Sequence, residues 1–208
     1  MLKVWGRTNS INVQKVMWAI GELRLAHERI DAGGAFGKNK EPRYLAMNPN
    51  GLVPVLEDDG FILWESNSIV RYLAATRDRA GVLEPRDPRR RARAQMWMDW
   101  QLSVLQPAQH ALFWGLVRTA PEARDPAAIA ASREKTVAAM TILDHALAET
   151  AFLAGDAFSY GDIPAALNTR RSWALVPDHP PLPNLRRWYD AVAARPPFQE
   201  HVEAVPMT

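Results

Sequence analysis

Residues 52–77, LVPVLEDDGFILWESNSIVRYLAATR, contain two short apolar runs on either side of an Asp-Gly pair that begins at Asp59. An Asp-Gly pair between apolar runs is typical of a β-hairpin turn, so the stretch predicts two antiparallel strands. Ile69, Tyr72 and Leu73 then recur at helical spacing, which predicts a helix directly after the hairpin. This stretch therefore predicts two strands followed by a helix, an order that points to a domain of mixed strands and helices.

The residues before the hairpin add a strand, a helix and a second strand. Residues 2–6, LKVWG, predict a strand, and residues 13–23 carry apolar side chains at helical spacing. HERID, residues 27–31, predicts another strand, and residues 32–44, AGGAFGKNKEPRY, predict a glycine- and lysine-containing loop. Strands and helices in this order within 78 residues are typical of a small α/β domain.

The second half of the chain carries only helical signals. Residues 79–87 are rich in charge, glycine and proline and predict a linker, after which Asp87 can cap a helix that starts with Pro88. The helix predicted from residue 89 to about 117 is apolar around most of its perimeter, so we expect it to be buried on more than one side. The predicted division is an α/β domain over 1–78, a linker over 79–87 and an all-helical domain over 88–208.

The composition excludes several kinds of chemistry. The 208 residues include no cysteine, so the protein has no thiol nucleophile, disulfide or thiolate ligand of its own. The net charge of +2 gives no field that would favour nucleic acid, and no apolar run reaches the ~18 residues of a membrane span. The five histidines show no metal-ligand spacing, so we expect no metal site. Taken together, these features predict a protein of the cytoplasm that binds neither membranes nor nucleic acid.

Two motifs suggest a site for a peptide-like ligand. In NPNGLVPVL, residues 48–56, Pro54 cannot donate a ladder hydrogen bond, and Val53 before it is directed towards extended geometry. Such a backbone can pair with another extended chain. Glu65 and Ser66 stand at a strand-to-helix junction, where a carboxylate beside unpaired helix amides suits the zwitterionic end of an amino acid. Capping of the helix alone is the alternative interpretation.

Four motifs in order, SINVQKV (10–16), NPNGLVPVL (48–56), ESNSIVRYLA (65–74) and FSYGDIP (158–164), resemble those of cytosolic glutathione transferases. The resemblance covers essentially the whole chain and is strongest to serine-type, theta- or phi-like members such as those of bacteria. It implies an α/β plus all-α fold: a thioredoxin-like N-terminal domain that binds glutathione, and an all-helical C-terminal domain that forms the electrophile pocket.

The resemblance implies a catalytic role for Ser10, at the seam between the first strand and the first helix. In similar serine-type enzymes a hydroxyl at this place contacts the thiol of glutathione. Thr8 and Asn9 are polar and lie one or two positions upstream, so they remain alternatives. Asn12 would support the turn or contact the ligand.

The resemblance also implies roles for the two peptide-binding motifs. Pro54 would follow a cis peptide bond, and Val53 would pair its backbone with the cysteinyl part of glutathione. Glu65 and Ser66 would hold the γ-glutamyl end.

The remaining implied contacts lie in the predicted loop and in the helical domain. Lys40 would face the glycyl carboxylate, with Asn39 and Lys38 as alternatives. Trp100 and Trp114 would be walls of the electrophile pocket.

The implied activity is transfer of glutathione, as cosubstrate and without a cofactor, to a small hydrophobic electrophile, with glutathione peroxidase activity as a possible addition. A free thiol has a pKa of about 8.5, so the site must favour the thiolate. A non-catalytic binding or regulatory module of the same fold is the alternative. Reduction through a protein cysteine is excluded because the chain has none.

We expect a homodimer. Similar enzymes form dimers, and the helix from residue 89 has more apolar surface than one small domain needs to bury.

Overall fold

The computed structural model describes residues 1–207 and divides them into two units. The first unit comprises residues 1–84 and 196–207, and the second comprises residues 85–195. The predicted fold class, α/β plus all-α with a thioredoxin-like first part, is confirmed.

A four-stranded mixed sheet with the order β2-β1-β3-β4 forms the centre of the first unit. The strands are β1 (Leu2–Trp5), β2 (His27–Ile30), β3 (Val55–Asp58) and β4 (Phe61–Trp64). β1 runs parallel to β2 and antiparallel to β3, and β3 and β4 form the hairpin predicted at the Asp-Gly pair. All four strands therefore follow the predicted order.

Three helices accompany the sheet: α1 (Ile11–Glu22), α2 (Pro42–Met47) and α3 (Ser66–Arg77). The predicted loop extended to residue 44 and missed α2, as well as a short 3-10 turn over Gly34–Phe36. The helix α2 has six residues and buries only Tyr44, which is too few buried positions to show a helical period. Pro42 at its first position was the available signal.

One face of the sheet carries a small apolar cluster of Trp5, Ala32, Tyr44 and Val55. Tyr44 brings α2 into this cluster, and its ring meets the Trp5 ring edge-on with centroids 6.3 Å apart. The cluster therefore fixes α2, and with it the preceding loop, against β1 and β3.

The segment after α3 is ordered by one carboxylate. Asp78 accepts hydrogen bonds from the backbone N–H groups of Val82, Leu83 and Glu84 at 2.6–2.9 Å. Leu83 is fully buried. The stretch predicted as a linker therefore starts as a fixed turn of the first unit.

The C-terminal segment belongs to the first unit, whereas the sequence-based division placed it with the helical domain. A turn of helix, α9 (Pro196–Phe198), continues into a π-helical turn over Gln199–Glu203. The Phe198 ring meets Trp18 of α1 edge-on at 4.9 Å, and Val202 is also fully buried. These apolar contacts with α1 explain the difference.

The second unit contains helices throughout, as predicted. They are α4 (Pro88–Trp100), α5 (Gln106–Phe113), α6 (Pro126–Ala146), α7 (Asp162–Leu175) and α8 (Pro183–Ala193). A π-helical segment, Gln101–Leu105, joins α4 to α5 just before Pro107. A π-helical turn is one way to accommodate the missing N–H of a proline.

The helix predicted from residue 89 to about 117 was expected to be buried on more than one side, but its first part, α4, buries few residues within the single chain. Ala94, Trp97 and Met98 are buried, but Met96 keeps 52% of its surface exposed. Leu102 in the following π-helical segment is also exposed. One apolar side of this helical stretch therefore faces away from the core.

Asp162 fixes the start of α7 from inside the second unit. Its fully buried carboxylate accepts hydrogen bonds from the N–H groups of Leu153 and Ser159 and from the indole of Trp188, each at 2.9 Å. Burial raises the pKa of Asp162, against the opposing effect of these donors. Pro164 is the third residue of the helix, where an N–H has no intrahelical partner, so it causes no break.

Candidate functional site

Ser10 occupies the N-cap position of α1 but does not act as a cap. Its backbone is extended, with φ −84° and ψ 122°, and its side chain makes no capping hydrogen bond. Within residues 1–207 the hydroxyl has no hydrogen-bond partner, although the residue is only 8% exposed. A capping serine normally accepts from a first-turn N–H. The Ser10 hydroxyl is therefore available to hydrogen-bond a ligand.

The two alternatives to Ser10 are placed differently. The Asn9 amide oxygen accepts a hydrogen bond from the Arg7 guanidinium at 2.6 Å, so this side chain has an internal partner. Thr8 lies on the exposed side of the turn. Neither residue stands at the first N–H groups of α1, where the helix dipole favours negative charge.

Asn12 connects the first turns of two helices. The Ser66 hydroxyl donates to the Asn12 side-chain oxygen at 3.3 Å, which joins the start of α3 to the start of α1. Ser66 is buried and is the first residue of α3, and Glu65 occupies the N-cap position. The structure therefore brings together two residues that lie 54 positions apart in the sequence.

Glu65 has an unusual backbone conformation for a residue other than glycine. Its φ is 69° and its ψ is 108°, and its side chain makes no capping hydrogen bond to α3. The carboxylate is exposed and has no ion-pair partner within residues 1–207. Strain of this kind costs about 1–3 kcal/mol and is concentrated at functional sites. The conformation holds an unpaired carboxylate beside the free amides of a helix N-terminus.

Val53 presents an unpaired backbone next to a cis peptide bond. The Val53-Pro54 bond is cis, as the resemblance implies, and neither the N–H nor the carbonyl of Val53 hydrogen-bonds to another group in residues 1–207. The Val53 side chain packs close to Gly6, where an added Cβ would lie 3.3 Å from the Val53 Cβ and 2.4 Å from the Val13 side chain. Glycine at position 6 therefore lets β1, α1 and this loop approach each other.

Two residues that the sequence analysis did not assign hold the Val53 loop in place. Asn48 donates its amide to the Leu52 carbonyl at 2.9 Å, and the Tyr44 hydroxyl donates to the same oxygen at 2.8 Å. Burial raises the pKa of Tyr44 to about 12, so this hydroxyl stays protonated and remains a donor. The Asn-Pro dipeptide that begins at Asn48 was the available signal, because it favours turns.

Lys40 and its two alternatives have distinct surroundings. The Asn39 amide donates to the Gly51 carbonyl at 2.7 Å, so it supports the loop that leads to Val53. The Lys40 ammonium lies beside Gly51, since a Cβ added there would come within 2.8 Å of its nitrogen. Lys38 instead lines a separate cavity of about 250 Å³ with Trp5 and other residues.

The two predicted tryptophans lie in the second unit. Trp100 ends α4 and meets Trp97 edge-on, with ring centroids 5.2 Å apart. Trp114 follows α5, is 52% exposed and has the His110 ring at 5.9 Å. The two tryptophans lie fourteen positions apart, with the π-helical segment Gln101–Leu105 and α5 between them.

Residues 1–207 contain neither a metal-ligand cluster nor a helix that could cross a membrane. No three side chains of the metal-ligating types come together there. None of the helices in that part of the chain combines the length and the apolar character that crossing a bilayer requires.

Known proteins match this chain over both units. Residues 1–75 match the family model described as glutathione S-transferase, N-terminal domain, and residues 105–196 match glutathione S-transferase, C-terminal domain. The chain is 46% identical over 210 aligned positions to glutathione S-transferase GstB of Escherichia coli K12, with 97% of this chain and 98% of the relative covered. Glutathione S-transferase 3 of Zea mays is 31% identical, over 99% and 95% of the two chains.

The fold also matches solved structures. A theta-class glutathione S-transferase of Xanthomonas axonopodis pv. citri, crystallised with glutathione bound, superposes with a TM-score of 0.93. It is 42% identical, and the match covers 100% of this chain and 99% of that one. The chain belongs to the glutathione S-transferase family. The predicted resemblance is thereby confirmed, and so is the prediction that the protein is a glutathione transferase enzyme.

Proposed function

We propose that the Ser10 hydroxyl hydrogen-bonds the sulfur of bound glutathione and favours its thiolate. The observation that carries this proposal is that Ser10 stands at the N-cap of α1 while its hydroxyl makes no capping bond. A hydrogen bond to a charged group contributes about 1.5–3 kcal/mol, which corresponds to a pKa lowered by one or two units. The dipole of α1 adds a smaller contribution of the same sign.

Glutathione is held, in this proposal, by an extended backbone and a helix N-terminus. The unpaired N–H and carbonyl of Val53, set by the cis bond to Pro54, pair with the cysteinyl residue. The exposed Glu65 carboxylate binds the γ-glutamyl ammonium. Ser66 and the first amides of α3 bind the γ-glutamyl carboxylate. Because a serine hydroxyl has one proton, the bond that Ser66 donates to Asn12 in the free protein is replaced by one to the γ-glutamyl carboxylate.

The glycyl carboxylate binds Lys40 rather than its two neighbours. Lys40 lies beside Gly51, in the loop that leads to Val53, and carries no partner within residues 1–207. Asn39 is engaged by the Gly51 carbonyl, and Lys38 lines the separate cavity with Trp5. A lysine ammonium is a suitable point charge for a carboxylate.

The second substrate is a small hydrophobic electrophile. The glutathione sulfur forms a bond to an electrophilic carbon of that substrate, and a leaving group departs with its bonding electrons. Trp114 is the better placed of the two predicted tryptophans for contact with such a molecule, because about half of its surface is exposed. Trp100 is half-buried, and its ring meets that of Trp97.

The active form is a homodimer. The apolar side chains left exposed on the second unit include Met96, Leu102, Val104 and Ile142. Val104 and Ile142 line one groove with Pro107 and Ala138. An apolar surface of this kind on a soluble protein marks an interaction site, and a second copy supplies the same surface. A cysteine-free chain also suits the cytoplasm, where thiols are kept reduced.

The test is an ultraviolet titration of the thiolate of glutathione bound to the protein. We expect an apparent pKa of about 6.5–7.5, one or two units below the free value of about 8.5. S-methylglutathione is the control, since it fills the same site without a titrating thiol. A bound thiol with the free pKa would contradict the proposal.

A further inference from the structure

Arg171 of α7 is a cation without an anionic partner among residues 1–207. Its guanidinium carbon lies 3.8 Å from the centroid of the Phe113 ring, stacked on the last residue of α5. The Nε atom is buried and donates to no acceptor within residues 1–207. An arginine has five N–H donors in a rigid fork, and a desolvated charge without a partner is unfavourable.

A second cation faces the same ring. The Arg118 guanidinium carbon lies 5.8 Å from the Phe113 centroid. Burial, together with the nearby positive charge of Arg118, lowers the pKa of Arg171 to about 10, which still leaves it charged at neutral pH. No carboxylate contributes to that shift, so both local influences on Arg171 oppose its charge.

Arg186 in the same unit shows what a stacked arginine with a partner looks like. It lies over the Trp173 ring at the same 3.8 Å, and it also pairs with Asp190 at 3.5 Å. Stacking on an aromatic ring is therefore compatible with an acidic partner in this protein. Arg171 stacks on a ring in the same way but has no acidic partner in the described part of the chain.

We propose that Arg171 binds the anionic group of the electrophilic substrate, a carboxylate or a sulfonate, with Arg118 supplying a second positive charge. The inference deepens the proposed function and rests on it, because it names a chemical group of the second substrate. A guanidinium fork matches the two oxygens of such a group, and the Phe113 ring holds the fork in one plane.

The experiment compares two electrophiles that differ only in charge, chlorodinitrobenzoate and chlorodinitrobenzamide. In both, the thiolate sulfur bonds to the ring carbon and chloride leaves with the electron pair of the broken C–Cl bond. We expect Arg171→Gln to raise KM for the benzoate about tenfold or more and to leave KM for the benzamide within about twofold. The KM for glutathione should not change.

Arg186→Gln is the matched control, because it removes an equally stacked arginine that already has a carboxylate partner. It should leave both electrophiles unaffected. Arg171→Lys keeps the charge but loses the fork, so we expect an intermediate KM for the benzoate. Circular dichroism of each variant verifies the fold, and Arg171→Lys provides the comparison if Arg171→Gln does not fold.

A readout without turnover separates this inference from the proposed function. The Kd of unreactive dinitrobenzoate, measured by calorimetry, should rise about tenfold in Arg171→Gln while dinitrobenzamide binds as before. If the wild type binds dinitrobenzoate selectively but converts neither electrophile, the proposed function fails and this site stands. If Arg171→Gln changes neither the Kd nor KM of the anions, or instead raises KM for glutathione, the inference is wrong.

Discussion

The Ser66 hydroxyl donates to the side-chain oxygen of Asn12 at 3.3 Å and thereby joins the N-termini of α3 and α1. Both helix ends present unpaired backbone amides, and Ser10 and Glu65 precede them directly. A single hydrogen bond therefore relates the residue proposed to contact the thiol to those proposed to hold the γ-glutamyl end.

The Asn12–Ser66 hydrogen bond should appear as a coupling in a double-mutant cycle. We expect Asn12→Ala and Ser66→Ala to be non-additive by about 0.5–1.5 kcal/mol in the free energy of unfolding without ligand. With saturating glutathione the coupling should change, because Ser66 then also faces the γ-glutamyl carboxylate. Denaturant unfolding of the four proteins measures both values. Strict additivity in both conditions would show that the contact has no energetic role.

Ser10→Ala should affect the thiol and hardly affect the fold. Because Ser10 makes no capping bond, the free energy of unfolding should change by less than about 0.5 kcal/mol, below the ~1 kcal/mol of a true cap. The pKa of bound glutathione should rise by one or two units, and turnover at neutral pH should fall about tenfold to a hundredfold. The glutathione Kd should change little.

Asp87→Ala is the control for this comparison, since Asp87 does cap α4 through a 2.8 Å bond from the Arg90 N–H. It should lower stability by about 1 kcal/mol and leave the thiol pKa unchanged. If Ser10→Ala keeps both the wild-type pKa and the wild-type rate, the thiol contact belongs to Thr8 or Asn9, and variants of these two would identify it.

Glu65→Gly should separate binding from stability. Glycine accepts a φ of 69° without strain, so the relieved strain should offset or exceed the entropy cost of glycine, and the free energy of unfolding should stay equal or rise by up to about 1 kcal/mol. The glutathione Kd, from calorimetry, should nevertheless rise about tenfold or more, because the ammonium loses its partner. Glu65→Ala should lose the same affinity while retaining the strain. Unchanged glutathione affinity in both variants would remove Glu65 from the site.

Asp58 should determine how the free energy of unfolding falls at acid pH. Its buried carboxylate accepts a hydrogen bond from the Tyr72 hydroxyl at 2.7 Å, and its two oxygens accept from the Nη2 group of Arg77 at 2.7 and 3.0 Å. Burial raises the pKa of Asp58, but these hydrogen bonds and the Arg77 charge outweigh burial and hold the pKa below its usual value.

Because the folded pKa lies below the unfolded value of about 3.9, Asp58 stabilises the fold above that pH and loses this contribution as the pH falls through the folded pKa. Asp58→Asn should cost about 1.5–3 kcal/mol at pH 7 and weaken the acid dependence of unfolding. Its neighbour Asp59 is exposed and pairs only with the terminal ammonium, so Asp59→Asn should stay within about 0.5 kcal/mol of wild type. Parallel acid curves for wild type and Asp58→Asn would contradict the assignment.

The dimer should depend on the exposed side of the helical stretch around α4. Met96→Glu and Leu102→Glu each place a charge on an exposed apolar position of one chain, so the fold should be retained. Light scattering at micromolar concentration should show a dimer for wild type and a monomer for the double variant, because like charges would face each other across a symmetric contact. Phe36→Glu, at another exposed apolar position in the first unit, should stay dimeric. A monomeric wild type would overturn the proposal.

The sequence by itself determined the order and class of the elements. The Asp-Gly turn between apolar runs predicted the β3–β4 hairpin, and the 3.6-residue period of apolar side chains predicted α1 and α3. These signals are local, so they survive without knowledge of the tertiary structure. The short helix α2 was missed because Tyr44 is its only buried residue, and its position is set by contact with Trp5 rather than by its own period.

The tertiary structure decided how the candidate site residues are used. The sequence placed Ser10 and Ser66 at helix starts, where each has the appearance of a cap, but only the folded chain shows that Ser10 makes no capping bond and that Ser66 bonds Asn12. The folded chain likewise shows that the Asn39 side-chain amide donates a hydrogen bond to the Gly51 carbonyl. Only the fold shows that Arg171 stacks on Phe113 and that no carboxylate of residues 1–207 pairs with it. The physical reason is that hydrogen-bond and ion-pair partners lie far apart along the chain, so their pairing depends on packing in three dimensions and has no local signature.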